Sequence, residues 1–375
     1  MTALTPLDDK ALPPGVRGRF VEGVNGLRMH VLECGERSRP CLLLLHGFPE
    51  LAYSWRKVMP TLAEAGYYVI APDQRGYGRT TGSDNRYDAD LAQFRPFNLV
   101  RDVVGLLHAL DIKEVASAIG HDAGAAIAAY LALLRPDLTR SAVLMSAPFA
   151  GAPKIQNTRS KGPSIDEALA GLSRPRKHYQ SYYRTGHADA NMHGAAQGVH
   201  AFLRAYFHHK SADWTANKPF RLGGWTADEL AKMPTYYIMD LMDGMAETVA
   251  KEMPSEAEIA ANRWMPEAEM RVFAEEYGRT TFQGGLNWYR ARVEPRLVPE
   301  LELIGGRTID MPSCFIAGAS DWGIYQVPGA IERMQGEAFT RMAKVHLVDG
   351  AGHWVQQERP EETTRHILAF MKEQR

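Results

Sequence analysis

The chain has 375 residues, of which 45% are hydrophobic and 23% charged, with 43 Lys plus Arg against 44 Asp plus Glu. This composition excludes an intrinsically disordered chain, and the balanced charge gives no basic groove for nucleic acid. The length predicts two domains, or one large domain with an insertion.

No apolar stretch approaches the roughly 20 residues that cross a bilayer, so we predict no membrane partner. The N-terminal segment Met1–Pro14 lacks the apolar core of a secretory signal. Cys41 and Cys314 lie in apolar runs, and three cysteines cannot form a disulfide framework, which predicts reduced thiols. We therefore expect a cytoplasmic protein.

Short apolar runs alternate with stretches of helical periodicity in the first 150 residues. The predicted elements are a hairpin over Phe20–Glu33, strands over Cys41–Leu45, Tyr67–Ala71, Val115–Ile119 and Ala142–Met145, and helices over Met59–Ala65, Leu99–Leu110 and Ala125–Leu134. Such alternation predicts an α/β fold, with a mostly parallel sheet and helices on both faces.

The alternation stops at about residue 150 and resumes near residue 300. Helix-like stretches without a clear buried strand occupy the middle, at Ile165–Leu172, Gly198–Phe207, Tyr236–Lys251 and Glu267–Tyr277. Strands over Cys314–Ala317 and Lys344–Val348 and a helix over Glu361–Lys372 follow. We therefore predict a core made of residues 1–150 and 300–375, with a large helical cap inserted over residues 151–299.

The junction of the 115–119 strand with the following helix reads Gly120-His121-Asp122-Ala123-Gly124. Two glycines around a central residue are typical of a nucleophile elbow, here with aspartate in the place of serine. Asp122 as a simple helix cap is the alternative. No Gly-x-Ser-x-Gly or Gly-x-Cys-x-Gly occurs in the chain, so no other elbow competes.

Three further positions fit a hydrolytic site around Asp122. The backbone N–H of Phe48, in His46-Gly47-Phe48-Pro49, can join that of Ala123 in an oxyanion hole. Asp321 and His353 follow the last two predicted strands, so nucleophile, acid and histidine all lie at carboxyl ends of strands, where open α/β sheets place their sites.

An aspartate nucleophile determines the type of reaction. With a reference pKa of about 3.9, Asp122 is ionised at neutral pH and needs no base for its attack. Attack on a saturated carbon that bears a leaving group gives an alkyl ester, which water activated by His353 and Asp321 then hydrolyses. Epoxides and alkyl halides are the electrophiles that suit this chemistry.

These motifs, with Tyr53-Ser54-Trp55-Arg56 and Ala71–Gly78, resemble the α/β-hydrolase superfamily and, within it, the epoxide hydrolases, which are related to haloalkane dehalogenases. The resemblance implies a cis Phe48-Pro49 bond and two cap tyrosines that hold the epoxide oxygen. Gly285–Arg290 matches the second tyrosine motif and implies Tyr289. His178–Tyr183 resembles the first and implies Tyr179, with Tyr182 and Tyr183 as alternatives.

The chain departs from the family pattern at two places. Ala123 stands where the family often has Trp, which weakens the dehalogenase interpretation and leaves space beside Asp122. The cap is long, and Met and aromatic residues in its segment 198–253 either pack in a core or line an apolar pocket. Trp288, Trp322 and Tyr182 are expected to contact the substrate.

The cap histidines follow no zinc-ligand spacing; they are His187, His193, His200, His208 and His209. We therefore expect no metal and no organic cofactor, and a small apolar substrate as the partner. The hypothesis is an epoxide hydrolase that forms a vicinal diol. The alternatives are a haloalkane or haloacid dehalogenase, a hydrolase for another bond, and a ligand-binding protein without turnover. The sequence leaves open the substrate skeleton, the stereochemistry and assembly into a homo-oligomer.

Overall fold

The structure, a computed structural model, describes residues 4–155 and 163–374. Its strands are β1 (Arg17–Val24), β2 (Leu27–Cys34), β3 (Cys41–Leu45), β4 (Tyr68–Pro72), β5 (Ser117–His121), β6 (Ala142–Met145), β7 (Arg176–His178), β8 (Ile238–Asp240), β9 (Ser313–Gly318) and β10 (Met342–Val348). Its helices are α1 (Met59–Glu64), α2 (Pro96–Ala109), α3 (Ala123–Leu134), α4 (Ile165–Ala170), α5 (Tyr179–Tyr183), α6 (Ala188–His193), α7 (Gly198–Lys210), α8 (Ala227–Leu230), α9 (Met245–Ala250), α10 (Glu256–Ala261), α11 (Glu267–Thr280), α12 (Gln283–Ala291), α13 (Val298–Glu302), α14 (Ala330–Arg333), α15 (Val355–Glu358) and α16 (Pro360–Glu373).

Eight strands form one sheet in the order β1-β2-β4-β3-β5-β6-β9-β10. The β1–β2 and β2–β4 pairs are antiparallel, and the remaining pairs are parallel. Every residue of β3, β5 and β6 is buried, as their continuous apolar runs require when helices cover both faces of a sheet. The predicted fold class, the hairpin and the alternation of strands and helices are confirmed.

The region between β6 and β9 is mainly helical but also contains strands, which the sequence did not indicate. The two-stranded antiparallel sheet β7–β8 corrects that expectation. The helix predicted over Tyr236–Lys251 is also wrong, because β8 replaces its first part and only α9 is helical. Arg174 and Arg176 hold Asp240 of β8 in ion pairs, and the extended Gly244 precedes α9.

The central helices pack over the carboxyl ends of the parallel strands. From α11, the hydroxyl of Tyr277 donates to the carbonyl of Glu50, and Glu269 pairs with Arg56. The Trp354 indole donates to the carbonyl of Phe207 in α7 at 2.8 Å. We propose that this layer is a cap over residues 151–299, of which residues 156–162 lie outside the described part of the chain.

The structure bears on two further expectations, the absence of a membrane span and the presence of core thiols. Within residues 4–155 and 163–374, no helix combines the length and apolar character needed to span a membrane. Cys34, Cys41 and Cys314 are all buried and unpaired, as expected for core thiols.

Candidate active site

Asp122 lies at a strained turn between β5 and α3. Its backbone has φ 52° and ψ −119°, a region that non-glycine residues rarely adopt. A Cβ on Gly120 would lie 2.2 Å from the carbonyl oxygen of Gly124, and one on Gly124 would lie 2.2 Å from that of Leu45. Both glycines therefore allow a turn so tight that the Asp122 side chain projects beyond the sheet, at the positive end of α3.

His353 bridges two carboxylates at the carboxyl ends of the strands. Its Nδ1 lies 3.1 and 3.2 Å from the two carboxylate oxygens of Asp321, and its Nε2 lies 3.5 Å from Asp122 Oδ2. Because Nδ1 donates to Asp321, the ring presents Nε2 to Asp122. Within the described residues Nε2 has no hydrogen-bond partner, which leaves it available to a water molecule. The structure thus brings together Asp122, Asp321 and His353, the three residues that the sequence predicted to lie in one site.

The loop after β3 reaches Asp122 from the other side. The backbone N–H of Phe48 donates to Asp122 Oδ1 at 3.1 Å, and the Phe48-Pro49 bond is cis, as expected from the family resemblance. A Cβ on Gly47 would lie 2.4 Å from the Cβ of Asp122, so this close approach requires glycine. Ala123, the first residue of α3, follows Asp122 directly and lies in the same cavity wall.

Both carboxylates of this group are held in the ionised form. Burial acts to raise the pKa of Asp122, but the neighbouring His353, Lys210 and His121 outweigh it and hold that pKa well below its ordinary value. The pKa of Asp321 is also lowered, because His353, the Gly323 N–H and Lys210 together overcome its burial. Asp122 is therefore a ready nucleophile at neutral pH.

A buried ion pair of His121 and Glu50 lies beside this catalytic group. His121 Nδ1 contacts Glu50 Oε2, and His121 Nε2 lies 2.7 Å from the backbone carbonyl of His353. A carboxylate and a carbonyl both accept, so both ring nitrogens of His121 donate and the ring is an imidazolium. Against the effect of burial, Glu50 raises the pKa of His121, and His121 lowers that of Glu50. Ser146 Oγ donates to the same carbonyl at 3.0 Å, so the loop of His353 is fixed from below.

A cavity of about 410 Å³ opens in front of Asp122. Its walls are mostly apolar side chains, among them Pro96, Ala126, Tyr130, Phe149, Leu301 and Val327. Tyr179 and Tyr289 line it together with Asp122, and their ring centroids lie 6.3 Å apart. A small apolar guest therefore fits between the carboxylate and two phenols.

The two phenols differ in their hydrogen bonds. The Tyr179 hydroxyl donates to Gln326 Oε1 at 3.1 Å and accepts from Gln180 Nε2 at 2.9 Å. The Tyr289 hydroxyl has no partner among the described residues and is free for a ligand. Burial, followed by the charge of Asp122, raises the pKa of both tyrosines above the ordinary value. Both hydroxyls therefore stay protonated and can donate to an oxygen atom.

The alternatives to Tyr179 point elsewhere. The Tyr182 hydroxyl donates to Asn191 Oδ1 at 2.8 Å, and the Tyr183 hydroxyl shares a 2.9 Å hydrogen bond with that of Tyr206. Neither lines the cavity of Asp122 as the structure describes it. This placement favours Tyr179 as the first tyrosine.

The expected substrate contacts are not brought to this cavity in the described part of the chain. The Trp288 indole donates to the carbonyl of Arg75 at 3.0 Å and reaches only a narrow apolar cleft beside Ala123 and Tyr289. The ring of Trp322 packs on Phe220, and Tyr182 bonds to Asn191 as above. Consecutive residues of a helix point in different directions, so Trp288 turns away where Tyr289 faces the cavity.

Several wall residues carried no signal in the sequence. Gln326 and Arg292 line the cavity, although neither lies in any of the motifs above, and Gln180 of the stretch His178–Tyr183 lines it too. The Met and aromatic segment 198–253 mostly packs in the core, as with the buried Tyr237, Met239 and Met245. Only the sequence neighbourhood of Tyr179 could have suggested Gln180.

The fold and this site define the class of protein: an α/β hydrolase whose elbow carries aspartate. Residues 40–360 match the model of the family described as the alpha/beta hydrolase fold. Epoxide hydrolase A of Mycobacterium tuberculosis is 33% identical, over 92% of this chain and 95% of its own length. An epoxide hydrolase of Caballeronia sordidicola is 31% identical, over 93% and 92%.

A solved structure gives the same result at the level of the fold. Potato (Solanum tuberosum) epoxide hydrolase I matches with a TM-score of 0.72 and 31% identity, over 96% of this chain and 99% of that one. The chain therefore belongs to the α/β hydrolases and, within them, to the epoxide hydrolase family.

Proposed function

We propose that this chain hydrolyses small apolar epoxides to vicinal diols through an alkyl ester on Asp122. The observation that carries the proposal is one arrangement: a carboxylate beside His353 on one side and two protonated phenols on the other, around an apolar cavity. The relatives' names support the same activity. The buried, unpaired cysteines support the cytoplasm as the compartment.

The first step opens the ring. A carboxylate oxygen of Asp122 attacks one epoxide carbon, the bond from that carbon to the epoxide oxygen breaks, and its electron pair stays on the oxygen. Tyr179 and Tyr289 donate hydrogen bonds to this oxygen, and one of them transfers a proton to it. The result is a hydroxyalkyl ester of Asp122.

The second step releases the diol. His353 Nε2 takes a proton from water while the water oxygen attacks Cγ of the ester, and Asp321 stabilises the resulting imidazolium. The N–H groups of Phe48 and Ala123 hold the oxyanion that forms on the Asp122 carboxyl group. Collapse of the tetrahedral intermediate breaks the bond from Cγ to the alkyl oxygen, which takes the proton of the His353 imidazolium and leaves as the diol. The proton on the Asp122 carboxyl group returns to the tyrosinate, which restores the carboxylate and the phenol.

The test is a panel of terminal, disubstituted and aryl epoxides beside chloro- and bromoalkanes of matching skeleton. We expect diol formation from at least one epoxide class and no halide release, because two phenols face Asp122 and no indole stands at position 123. Asp122→Asn should lower the rate by at least about 10³-fold, since the amide is not a nucleophile. Halide release without diol formation would contradict the proposal, and so would full activity in Asp122→Asn.

A further inference from the structure

Lys210, the last residue of α7, carries a buried ammonium group that forms no ion pair with any residue the structure describes. The residue is 4% exposed, and within the described chain no carboxylate oxygen lies within 4.0 Å of its Nζ. Four aromatic rings surround the Nζ instead, with centroids at 5.2 Å (Trp354), 5.3 Å (Tyr237), 5.6 Å (Tyr206) and 5.8 Å (Tyr236). Lysine is almost never buried in this way unless it is paired, so the group requires a reason.

This aromatic cage adjoins the catalytic group. The backbone N–H of His353 donates to the carbonyl of Lys210 at 2.9 Å, and the caging Trp354 is the next residue. Burial lowers the pKa of Lys210, and the charges of Asp122, Asp321 and Glu50 act in the opposite direction, towards the protonated form. The other titratable groups around it are the imidazoles of His121, His353, His208 and His209 and the three tyrosines of the cage.

A count of charges shows when the ammonium matters most. The pair of Glu50 and His121 is neutral throughout. In the ester, Asp122 is uncharged, and the negative charges are those of Asp321 and of the tyrosine that gave up its proton. During hydrolysis an oxyanion forms on Asp122 while His353 becomes an imidazolium, so a new negative charge appears at the group on which Lys210 acts. Without Lys210 the buried site carries two net negative charges instead of one, and buried charge is costly.

We propose that Lys210 is an electrostatic positioning residue for the second half of the reaction, whose caged ammonium balances the oxyanion formed on Asp122 during ester hydrolysis. The inference rests on the proposed function and deepens it. Ring opening depends less on this charge, because the attack moves negative charge from Asp122 to the epoxide oxygen between the two tyrosines. The aromatic cage holds the ammonium near the site, and no carboxylate of the described residues pairs with it directly.

The experiment is single-turnover kinetics with an epoxide that the wild type converts. In Lys210→Met we expect adduct formation within about threefold of the wild type and adduct hydrolysis slowed by about tenfold or more. The ester then accumulates, and kcat and KM fall together. Lys210→Arg keeps the charge and should hydrolyse its adduct within about threefold of the wild type.

The acid limb of the pH–rate profile for hydrolysis gives an independent readout. In Lys210→Met this acid limb should move to higher pH by roughly one unit. The reason is that the catalytic base is protonated more easily once a nearby cation is lost. A purely structural role would lower the active fraction and leave this limb in place. Lys177→Met is the matched control, since this cap lysine also lies over a tyrosine, 4.8 Å from the Tyr182 ring, but acts on no catalytic charge. It should leave both steps unchanged.

Three results would overturn the proposal. The first is a folded Lys210→Met enzyme, by circular dichroism, that hydrolyses its adduct at the wild-type rate with the wild-type pH profile. The second is an equal loss in Lys210→Arg, which would show that shape rather than charge matters. The third is a wild type that forms neither adduct nor diol from any epoxide. This result would refute the proposed function itself, whereas the first two refute only the role of Lys210. If Lys210→Met does not fold, Lys210→Gln removes the charge with a polar side chain in its place.

Discussion

At the scale of single residues, the function depends on which oxygen-bearing groups face Asp122. Its carboxylate is placed by a backbone strain that two glycines make possible, and its ionised form is stabilised by His353 and Lys210. The opposite wall supplies Tyr179 and Tyr289, whose raised pKa keeps them protonated. Nucleophile and proton donors are thus prepared by opposite electrostatic effects in one cavity.

The two tyrosines should contribute to ring opening in an overlapping way. We expect Tyr289→Phe and Tyr179→Phe each to lower the rate of adduct formation by roughly 10- to 100-fold, because one donor remains. The double variant should show no measurable ring opening. Stopped-flow fluorescence in single turnover measures this step, and the exposed Tyr87→Phe serves as the control. Wild-type adduct formation in the double variant would exclude the assignment of the phenols.

At the scale of elements, the site depends on how closely α3 packs against β3 and β5. The backbone of Gly124 approaches the carbonyls of Leu45 and His46 so closely that no side chain fits there. This contact sets where α3 begins and therefore where Asp122 points. The motif around Asp122 could be identified from sequence for this physical reason, because such packing leaves a mandatory pair of glycines.

Gly124→Ala tests this packing. Its Cβ would lie 2.2 Å from a backbone oxygen, so the helix must shift, and we expect a cost of about 2 kcal/mol or more together with a large loss of activity. Gly278→Ala in α11 is the matched control, because its Cβ meets no atom within 4 Å. Its melting temperature should stay the same or rise, since alanine favours a helix. Equal thermal stability of both variants, measured by calorimetry, would refute the role of Gly124.

At the scale of the whole molecule, buried charges hold neighbouring strands of the sheet together and link the sheet to the proposed cap. Glu33 in β2 is one such charge: it accepts from Arg17 and Arg19 of β1 and from Tyr68 of β4. Burial raises its pKa, but these donors outweigh burial and lower the pKa to about 2. Arg56 similarly links the core to Glu269 of the cap and to Gln357.

The lowered pKa of Glu33 predicts a defined acid sensitivity. A carboxylate with a depressed pKa in the folded state stabilises the fold fully above its unfolded value, near 4.5, and this contribution is lost as the pH falls towards 2. Glu33→Gln should therefore melt several degrees lower than the wild type at pH 7, and the difference should shrink below pH 4.5. Melting curves from pH 7 to pH 2 measure it, and a difference that stays constant across this range would contradict the assignment.

The sequence predicts features that depend on local patterns, and it does not predict features that depend on contacts between distant segments. Runs such as Cys41–Leu45 identify buried strands without knowledge of their neighbours, and the order of Asp122, Asp321 and His353 follows from strand ends. β7 and β8 have three residues each, too few for a periodic pattern, and they exist because they pair with each other. Lys210 joins the site only through the fold, since α7 ends against the loop of His353.

The most direct test of the account is to stop the reaction between its two steps. His353→Gln should still form the ester, because Asp122 attacks without a base, but should hydrolyse it very slowly. After incubation with an epoxide, intact-protein mass spectrometry should show an adduct with the whole mass of the epoxide, and peptide mapping should locate it on Asp122. No adduct on Asp122 in the folded variant, with an epoxide that the wild type converts, would contradict the account.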